Sequence, residues 1–280
     1  MSFSDNDDGG ARAYCAGAVR DGDHDRWLTT LFAPGSLRGD LLVLYACNLE
    51  LARTAEVVSE PMLGQIRLQW WREAAAEVAN GTPRRHPVVE ALTALHRRRP
   101  LPLAELNRLI DAREQDLAAE PFADLPAFLD YTTATSAPLA RLALAALDAE
   151  TDQAEPAARA YAIVGLLRAL PFWARERRLA LPLDMLTEAG LTAEDVYRRR
   201  RRPELAQVVE KLSRQAETDL AALRRPQAAA LPALLPATLA RLHLARLARA
   251  GHDPFTLAEQ PPPALAAPLR LWWAARRGRP

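Results

Sequence analysis

Two acidic clusters carry the residue types from which a divalent-cation site could be built. Asp111 and Glu114 stand three residues apart, so a helix would place both carboxylates on one face, where they could hold magnesium if that face lined a cavity. The second cluster, Asp21-Gly-Asp-His-Asp25, offers carboxylates and an imidazole within one short segment. The sequence favours a plainer interpretation of both. Acidic pairs are common on solvated helix faces, and Asp23 or Asp25 suits the cap of a following helix.

Groups of arginines are the second feature with chemical potential. Those of Arg97–Arg99 and Arg198–Arg202 follow predicted helices, where positive charge offsets the helix dipole. Arg175, Arg177 and Arg178 follow an apolar helix in a place where capture of an anion would be geometrically easy.

The C-terminal segment, residues 269–279, joins the indoles of Trp272 and Trp273 to four arginines. This composition is typical of an interfacial membrane anchor. A last helix docked on the domain, with a frayed basic end, is the alternative that the sequence favours. The chain has no Gly-rich phosphate loop, no His-Glu-x-x-His and no Gly-x-Ser-x-Gly. Residue spacing alone therefore does not indicate a particular reaction.

The composition allows one large globular domain with a substantial core, since 49% of the 280 residues are hydrophobic and 25% are charged. Lys and Arg number 36 against 35 Asp and Glu, so no chain-wide field would attract nucleic acid, and we expect no nucleic-acid partner. Cys15 and Cys47 are too few for a disulfide framework, which indicates a reducing compartment.

The start of the chain and its hydropathy predict a bacterial cytoplasmic protein. Residues 1–10 are acidic and polar, which does not fit a secretory signal or a mitochondrial presequence. No apolar run approaches the roughly 20 residues that span a bilayer. The run Leu41–Cys47, for example, is soon followed by Glu50 and Arg53. Any contact with the inner membrane is therefore expected to be peripheral.

The elements that position these residues are predicted to be helices. Apolar residues recur at three- and four-residue spacing from about residue 12 to residue 275, without the alternation typical of strands, so the protein is predicted to be all-α. Prolines and glycines divide the pattern into about nine or ten helices. We predict one domain over residues 12–276, between a disordered acidic terminus, 1–11, and a basic tail, 277–280.

Local signals predict where two of the helices begin or end. Gly81 is expected to end the helix that contains Trp70 and Trp71, with one indole in the core and the other partly exposed. Thr192 and Asp195 have the spacing of a capping box and are expected to open another helix.

A series of segments, taken in chain order, resembles the squalene/phytoene synthase family across about residues 12–275. The segments are Tyr45–Glu56, Leu68–Glu73, Leu109–Leu117, Leu129–Thr132, Gly165–Pro182, Leu179–Leu186 and Gly190–Asp195. The resemblance implies a single-domain, isoprenoid (terpenoid) synthase-like helical bundle with a central cavity.

Active members of that family hold magnesium against a substrate diphosphate with an aspartate-rich run in each of two motifs. The first run begins about seven residues after a Tyr-Ala pair, and the positions counted from Tyr45 hold Ala52, Arg53 and Glu56. The second motif reads approximately Asn-x-x-Arg-Asp-x-x-Glu-Asp. Its positions here are, in order, Gly165, Arg168, Ala169, Phe172 and Trp173.

The resemblance therefore implies two degenerate motifs. An arginine at a ligand position repels a cation, and ionisation of a diphosphate needs metal to neutralise the leaving group. We expect no catalytic residue, no metal and no cofactor, with Trp173 filling space that metal and water occupy in active members. The residues expected to contact a ligand are Tyr45, Asn48, Tyr131, Arg168, Arg175 and Arg178. Of these, Arg168 and Arg178 are expected at the diphosphate end of the cavity.

One branch of the family shares this pattern. The segments that carry the closer resemblance are Asn48–Ala52, Gly64–Trp70, Leu167–Pro171 and Arg177–Pro182. They resemble the respiratory complex I (NADH dehydrogenase) assembly factor 6 branch, whose members are regarded as non-catalytic helpers. The resemblance implies a pseudoenzyme that assists assembly near the inner membrane, with a client protein or an isoprenoid-like lipid as its partner.

Two alternatives remain open from the sequence. The first is an active, divergent prenyl transferase that condenses prenyl diphosphates head to head. It would need magnesium and replacement ligands drawn from Glu50, Glu56, Asp111 and Asp116. The second is a peripheral lipid-binding protein that uses the Trp272-Trp273 tail.

Overall fold

The computed structural model describes residues 5–58, 60–118 and 120–280, and all regular secondary structure in these ranges is helical. The helices are α1 (Asp5–Gly22), α2 (His24–Thr30), α3 (Gly35–Ala52), α4 (Pro61–Asn80), α5 (Pro87–Arg98), α6 (Leu103–Ala112), α7 (Glu114–Ala118), α8 (Leu125–Ala134), α9 (Ala137–Ala146), α10 (Ala154–Arg175), α11 (Leu183–Glu188), α12 (Ala193–Tyr197), α13 (Arg202–Ala221), α14 (Leu231–Leu234), α15 (Pro236–Arg249), α16 (Pro254–Glu259) and α17 (Ala266–Arg277).

The described residues form two compact units, and the single domain predicted over residues 12–276 stays a prediction. The first unit combines the described residues of 1–118 with 138–152 and 226–233, and the second contains the remainder. Because each unit is assembled from separate segments, no single linker marks the division, which is why composition did not reveal it.

The predicted boundary of the N-terminal region differs from the observed start of α1. Helix α1 already begins at Asp5, so it includes residues 5–11, which the sequence assigns to a disordered terminus. Residues 1–4 of that prediction lie outside the described part of the chain. At the other end, α17 continues to Arg277, the first residue of the predicted basic tail, and Gly278 caps it in the left-handed conformation with φ 63°.

In the first unit, α1, α3 and α5 pack on one another. Helix α3 is buried around much of its circumference, as expected for a helix that is apolar on most sides. Its one buried carboxylate, Asp40, accepts hydrogen bonds from Arg12 of α1 at 2.7 Å and from Arg98 of α5 at 3.0 Å. A buried charge is tolerated when it is paired in this way. The two ion pairs thus fix the helix that carries the first motif.

Helix α4 confirms two local predictions. Gly81 ends it in the left-handed region with φ 70°, a conformation that glycine adopts without strain. Trp71 is buried, whereas Trp70 is partly exposed beneath the guanidinium of Arg84, which lies 4.8 Å from its ring centroid.

In the second unit, α10 is the central helix and packs against α8, α13, α15 and α16. Its buried face lies in a continuous apolar cluster with those helices. Arg159 of α10 makes two hydrogen bonds to Asp219 of α13, at 2.8 and 2.5 Å, and these bonds raise the pKa of Arg159. The predicted capping box of Thr192 and Asp195 opens α12.

Candidate functional site

The first motif does not lie on one helix face. Helix α3 ends at Ala52, and Arg53 caps it, so the segment that reaches Glu56 forms a turn in which the backbone N–H of Glu56 donates to Arg53 O at 2.9 Å. Arg53 and Glu56 are both exposed. The helical spacing that brings ligands together in a metal-binding run is therefore lost here, in addition to the change of residue types.

Tyr45, a predicted ligand contact, is a buried residue of α3. The guanidinium of Arg26 lies 5.7 Å from its ring centroid. Burial raises the pKa of the Tyr45 phenol to about 12, so the phenol stays neutral. Arg26 in turn donates at 2.6 Å to Asp23, which also caps α2 by accepting from the Arg26 N–H. The plainer interpretation of the Asp21–Asp25 cluster, as a helix cap, is confirmed.

Asn48, the second predicted contact on α3, is held by an arginine from a distant segment. Its amide oxygen accepts from Arg113 at 3.3 Å, and Arg113 also donates to Asp116 at 3.4 Å. Asn48 and Arg113 are both buried. Arg113 therefore links one candidate ligand residue to one of the four carboxylates that a substitute metal site would need.

Two of the other substitute carboxylates are also paired with arginine. Glu50 accepts from Arg67 at 2.9 Å. Asp111 accepts from Arg72 at 2.9 Å, and the same guanidinium donates to Glu114 at 2.6 Å. Asp111 and Glu114 do not share one helix face as the sequence suggested, because Arg113 ends α6 and Glu114 begins α7.

Helices α4 and α7 approach closely beside these ion pairs. A Cβ placed on Gly64 would lie 2.3 Å from one methyl carbon of Leu117 and 2.9 Å from the other. Only glycine fits this contact without displacement of Leu117, whose side chain is buried. Gly64 thus has a packing reason for its presence in one of the segments that carry the family resemblance.

The second motif lies along one face of α10. Gly165, Arg168, Ala169 and Phe172 follow at intervals of three, one and three residues, which is the spacing of one helix face. This face is open: a Cβ on Gly165 would meet nothing within 4 Å, Arg168 is exposed, and the Phe172 side chain is 56% exposed. The opposite face supplies the buried core residues of the second unit.

The remaining predicted contacts divide between surface and core. Trp173 packs partly buried against the apolar cluster, with the Arg178 guanidinium 5.9 Å from its ring centroid. Arg175 is exposed at the end of α10. Tyr131 of α8 is buried, with its ring 5.0 Å from that of Phe122.

Within the described part of the chain, no group of three or more His, Cys, Asp or Glu side chains is arranged to hold a metal ion. The central cavity, and the placement of Arg168 and Arg178 at its diphosphate end, stay predictions.

The partners of Glu50, Asp111 and Asn48 were not predicted from the sequence. Arg67 and Glu50 are 17 residues apart, Arg72 and Asp111 are 39 apart, and Arg113 and Asn48 are 65 apart. No local spacing connects these residues, since only tertiary packing brings their helices together. The presence of Arg67 and Arg72 on one predicted helix was the sole signal.

The fold is that of the isoprenoid synthases. A dehydrosqualene synthase determined with a ligand superposes with a TM-score of 0.80 over 97% of this chain and 98% of that chain, at 14% identity. Squalene synthase HpnC from Alicyclobacillus acidocaldarius gives a TM-score of 0.74 over 88% of this chain and 96% of that chain, at 19% identity. These likenesses confirm the predicted all-α, isoprenoid synthase-like architecture.

The family profile of squalene/phytoene synthase matches residues 19–273, and the chain belongs to this family. A rat protein named NADH dehydrogenase (ubiquinone) complex I, assembly factor 6 is 30% identical over 250 residues, which is 86% of this chain and 75% of the rat protein. The similarity to the assembly factor 6 branch, inferred from short segments, therefore extends over most of the chain.

Proposed function

We propose that this protein is a non-catalytic helper in the assembly of respiratory complex I and that it acts without magnesium or another cofactor. The observation that carries the proposal is the similarity to complex I assembly factor 6 over most of the chain. The motif substitutions support it, because arginine and alanine stand where active members of the family present carboxylates.

The ion pairs of the first unit support the same proposal. Glu50, Asp111 and Asp116 would each have to exchange an arginine partner for a metal ion. That exchange costs a charge-assisted hydrogen bond and leaves a guanidinium close to the cation. The two positive charges repel, so magnesium binding at these carboxylates is disfavoured.

The partner we propose is a protein component of complex I, with an isoprenoid-like lipid as a further ligand of the fold. We propose that contact with the membrane is peripheral and that the site of action is the cytoplasmic side of a bacterial inner membrane. None of the described helices is both long enough and apolar enough to cross a bilayer.

Complementation tests the assembly role directly. Rat cells that lack their complex I assembly factor 6 would be given this chain behind a mitochondrial presequence, and assembled complex I would be measured on native gels. Restoration of assembled complex I is expected. The matched control is squalene synthase HpnC with the same presequence, which has the fold but is expected not to restore assembly. If both proteins fail, the assembly proposal is overturned for this chain.

A separate assay tests the absence of catalysis. The purified protein would be incubated with magnesium and farnesyl or geranylgeranyl diphosphate while pyrophosphate release is followed, with HpnC as the active control. We expect release no faster than in a chelator control. Metal-dependent release would instead support the prenyl transferase alternative. The candidate magnesium ligands would then be Glu50, Glu56, Asp111 and Asp116.

A further inference from the structure

The last helix, α17, presents two apolar faces. Leu271 and Ala274 are buried on the inner face, where α17 packs against α15. Leu269, Trp272 and Trp273 lie outside that contact and are 54%, 46% and 52% exposed. Spacings of three and four residues place these three side chains on one stripe, which Leu265 extends at the start of the helix. Soluble proteins seldom expose two neighbouring tryptophans, so this stripe indicates an interaction surface.

Arginines lie against both indoles of this stripe. The Arg276 guanidinium lies 5.2 Å from the Trp272 ring centroid, and that of Arg277 lies 5.1 Å from the Trp273 ring centroid. Cation–π contacts of this kind hold an indole beside a positive charge. Arg270 is exposed on the same helix. Each exposed indole therefore has a cation next to it.

A groove of about 570 Å³ between α15 and α17 extends the basic surface. Its walls include Arg246 and Arg249 from α15, together with Arg270, Trp273 and Arg277 from α17. The groove lies entirely within the second unit.

The charge of this region is one-sided. Residues 236–280 contain seven arginines and only two acidic residues, Asp253 and Glu259, in a chain whose total charge is close to neutral. One of the two acids, Asp253, forms an ion pair with Arg202. The surface thus combines apolar insertion groups with an excess of positive charge.

We propose that the α15–α17 surface docks the protein on a bilayer rich in anionic phospholipid. The indoles would insert at the depth of the headgroups, where tryptophan is favoured, while the arginines contact lipid phosphates. Anionic lipid attracts basic side chains near the surface, and each contributes to binding. A bilayer of this kind supplies anionic headgroups and an apolar interior side by side, whereas an acidic protein would need an apolar stripe of its own opposite the leucines and indoles. The inference rests on the proposed peripheral contact with the membrane, for which it names the surface, but not on the proposed role in complex I assembly.

Vesicle sedimentation of the full chain tests the proposal. We expect the protein to sediment with vesicles that mix phosphatidylcholine and phosphatidylglycerol, and to remain in solution with phosphatidylcholine alone. Binding should weaken as salt is added. In the bound state, the fluorescence of Trp272 and Trp273 should be quenched by brominated acyl chains.

Two variants, each with a matched control, locate the surface. Trp272→Ala/Trp273→Ala should abolish sedimentation. Met62→Ala/Ile66→Ala, which removes two apolar side chains of α4 that are even more exposed, at 66% and 60%, should not. Arg249→Ala/Arg270→Ala should weaken binding by a factor on the order of thirty. Its control, Arg198→Ala/Arg214→Ala, makes the same change in net charge on exposed residues elsewhere and should leave binding nearly unchanged.

The proposal is wrong if the intact protein does not sediment with anionic vesicles. It is equally wrong if the tryptophan variant binds vesicles as the parent protein does, or if bound protein shows no quenching by brominated chains. Binding to polyglutamate without binding to vesicles would assign the surface to an acidic protein partner instead. The thermal unfolding of each variant, followed by circular dichroism, shows whether a loss of binding reflects a loss of structure.

Discussion

The guanidinium of Arg67 lies 2.9 Å from the carboxylate of Glu50. Among the four candidate ligands of a substitute metal site, Glu50 is the one that α3 supplies. The Tyr14 hydroxyl also donates to Glu50, at 3.3 Å. Glu50 is therefore an acceptor in a local network of the first unit, and its negative charge is already balanced. The same holds for Asp111, which faces Arg72.

Magnesium is accordingly expected to leave the stability of the protein unchanged. A ligand that binds only the folded state stabilises it by about 2.7 kcal/mol at a hundred times its dissociation constant. We expect the same melting temperature in magnesium and in chelator, measured by differential scanning calorimetry. A rise in melting temperature with magnesium, removed by Glu50→Gln, would contradict the interpretation of Glu50 as a structural acceptor.

Two glycines of the family-like segments are expected to respond in opposite directions to alanine. Gly64→Ala should destabilise the protein by about 1–3 kcal/mol, because the new methyl group collides with the buried Leu117. Gly165→Ala meets open space inside α10 and should stabilise it by about 0.5–1 kcal/mol through higher helix propensity. Urea unfolding of both variants measures the two changes in the free energy of unfolding. Equal changes would show that α4 and α7 leave room for a methyl group at Gly64.

Features with local signals were predicted well from the sequence. The left-handed cap at Gly81 and the capping box at Thr192 need only a few neighbouring residues to form, and both are present. The order of the family-like segments was enough to predict the fold. Helix number was underestimated, at nine or ten, because helices as short as α14, of four residues, are too short for apolar periodicity to appear.

Features that depend on distant contacts could not be predicted. The arginines of residues 198–202 do follow a helix, since Arg198 caps the end of α12, but Arg201 also caps the start of the next helix, α13, in the left-handed region with φ 49°. Arg202 then pairs with Asp253, more than fifty residues away, and no spacing rule connects these two. For the same reason, the sequence identified Glu50 and Asp111 as candidate ligands but not Arg67 and Arg72, which pair with them.

The Arg159–Asp219 pair is expected to contribute strongly to the stability of the second unit. Asp219→Ala leaves Arg159 without the acceptor of both its hydrogen bonds, and breaking such a pair costs about 3 kcal/mol. The control is Glu210→Ala on the same helix, whose exposed pair with Arg214 should contribute less than about 0.5 kcal/mol. Chemical denaturation would measure both. A similar cost for the two variants would show that burial does not strengthen the Asp219 pair.

The two cysteines are expected to be unreactive in the folded protein and to make stability fall at high pH. Burial raises the pKa of Cys15 and of Cys47 from 9.0 to about 12. The folded state therefore holds its thiol protons more tightly than the unfolded state, so stability is fully present below pH 9 and declines as pH rises from 9 to 12. The Tyr45 phenol, raised from 10.0 to about 12, acts in the same direction.

Two measurements check this expectation. At neutral pH a thiol-specific reagent should label neither cysteine until urea is added, and then should label both, because thiolate formation requires exposure. Above pH 9 the urea midpoint of unfolding should fall. The fall should be smaller in Cys15→Ala/Cys47→Ala, because that variant lacks both buried thiols. Some fall should remain, because the Tyr45 phenol is still present. Rapid labelling of either thiol without urea would mean that α1 and α3 separate readily. The packing of α3 on α1 would then be looser than the ion pairs of the buried Asp40 indicate.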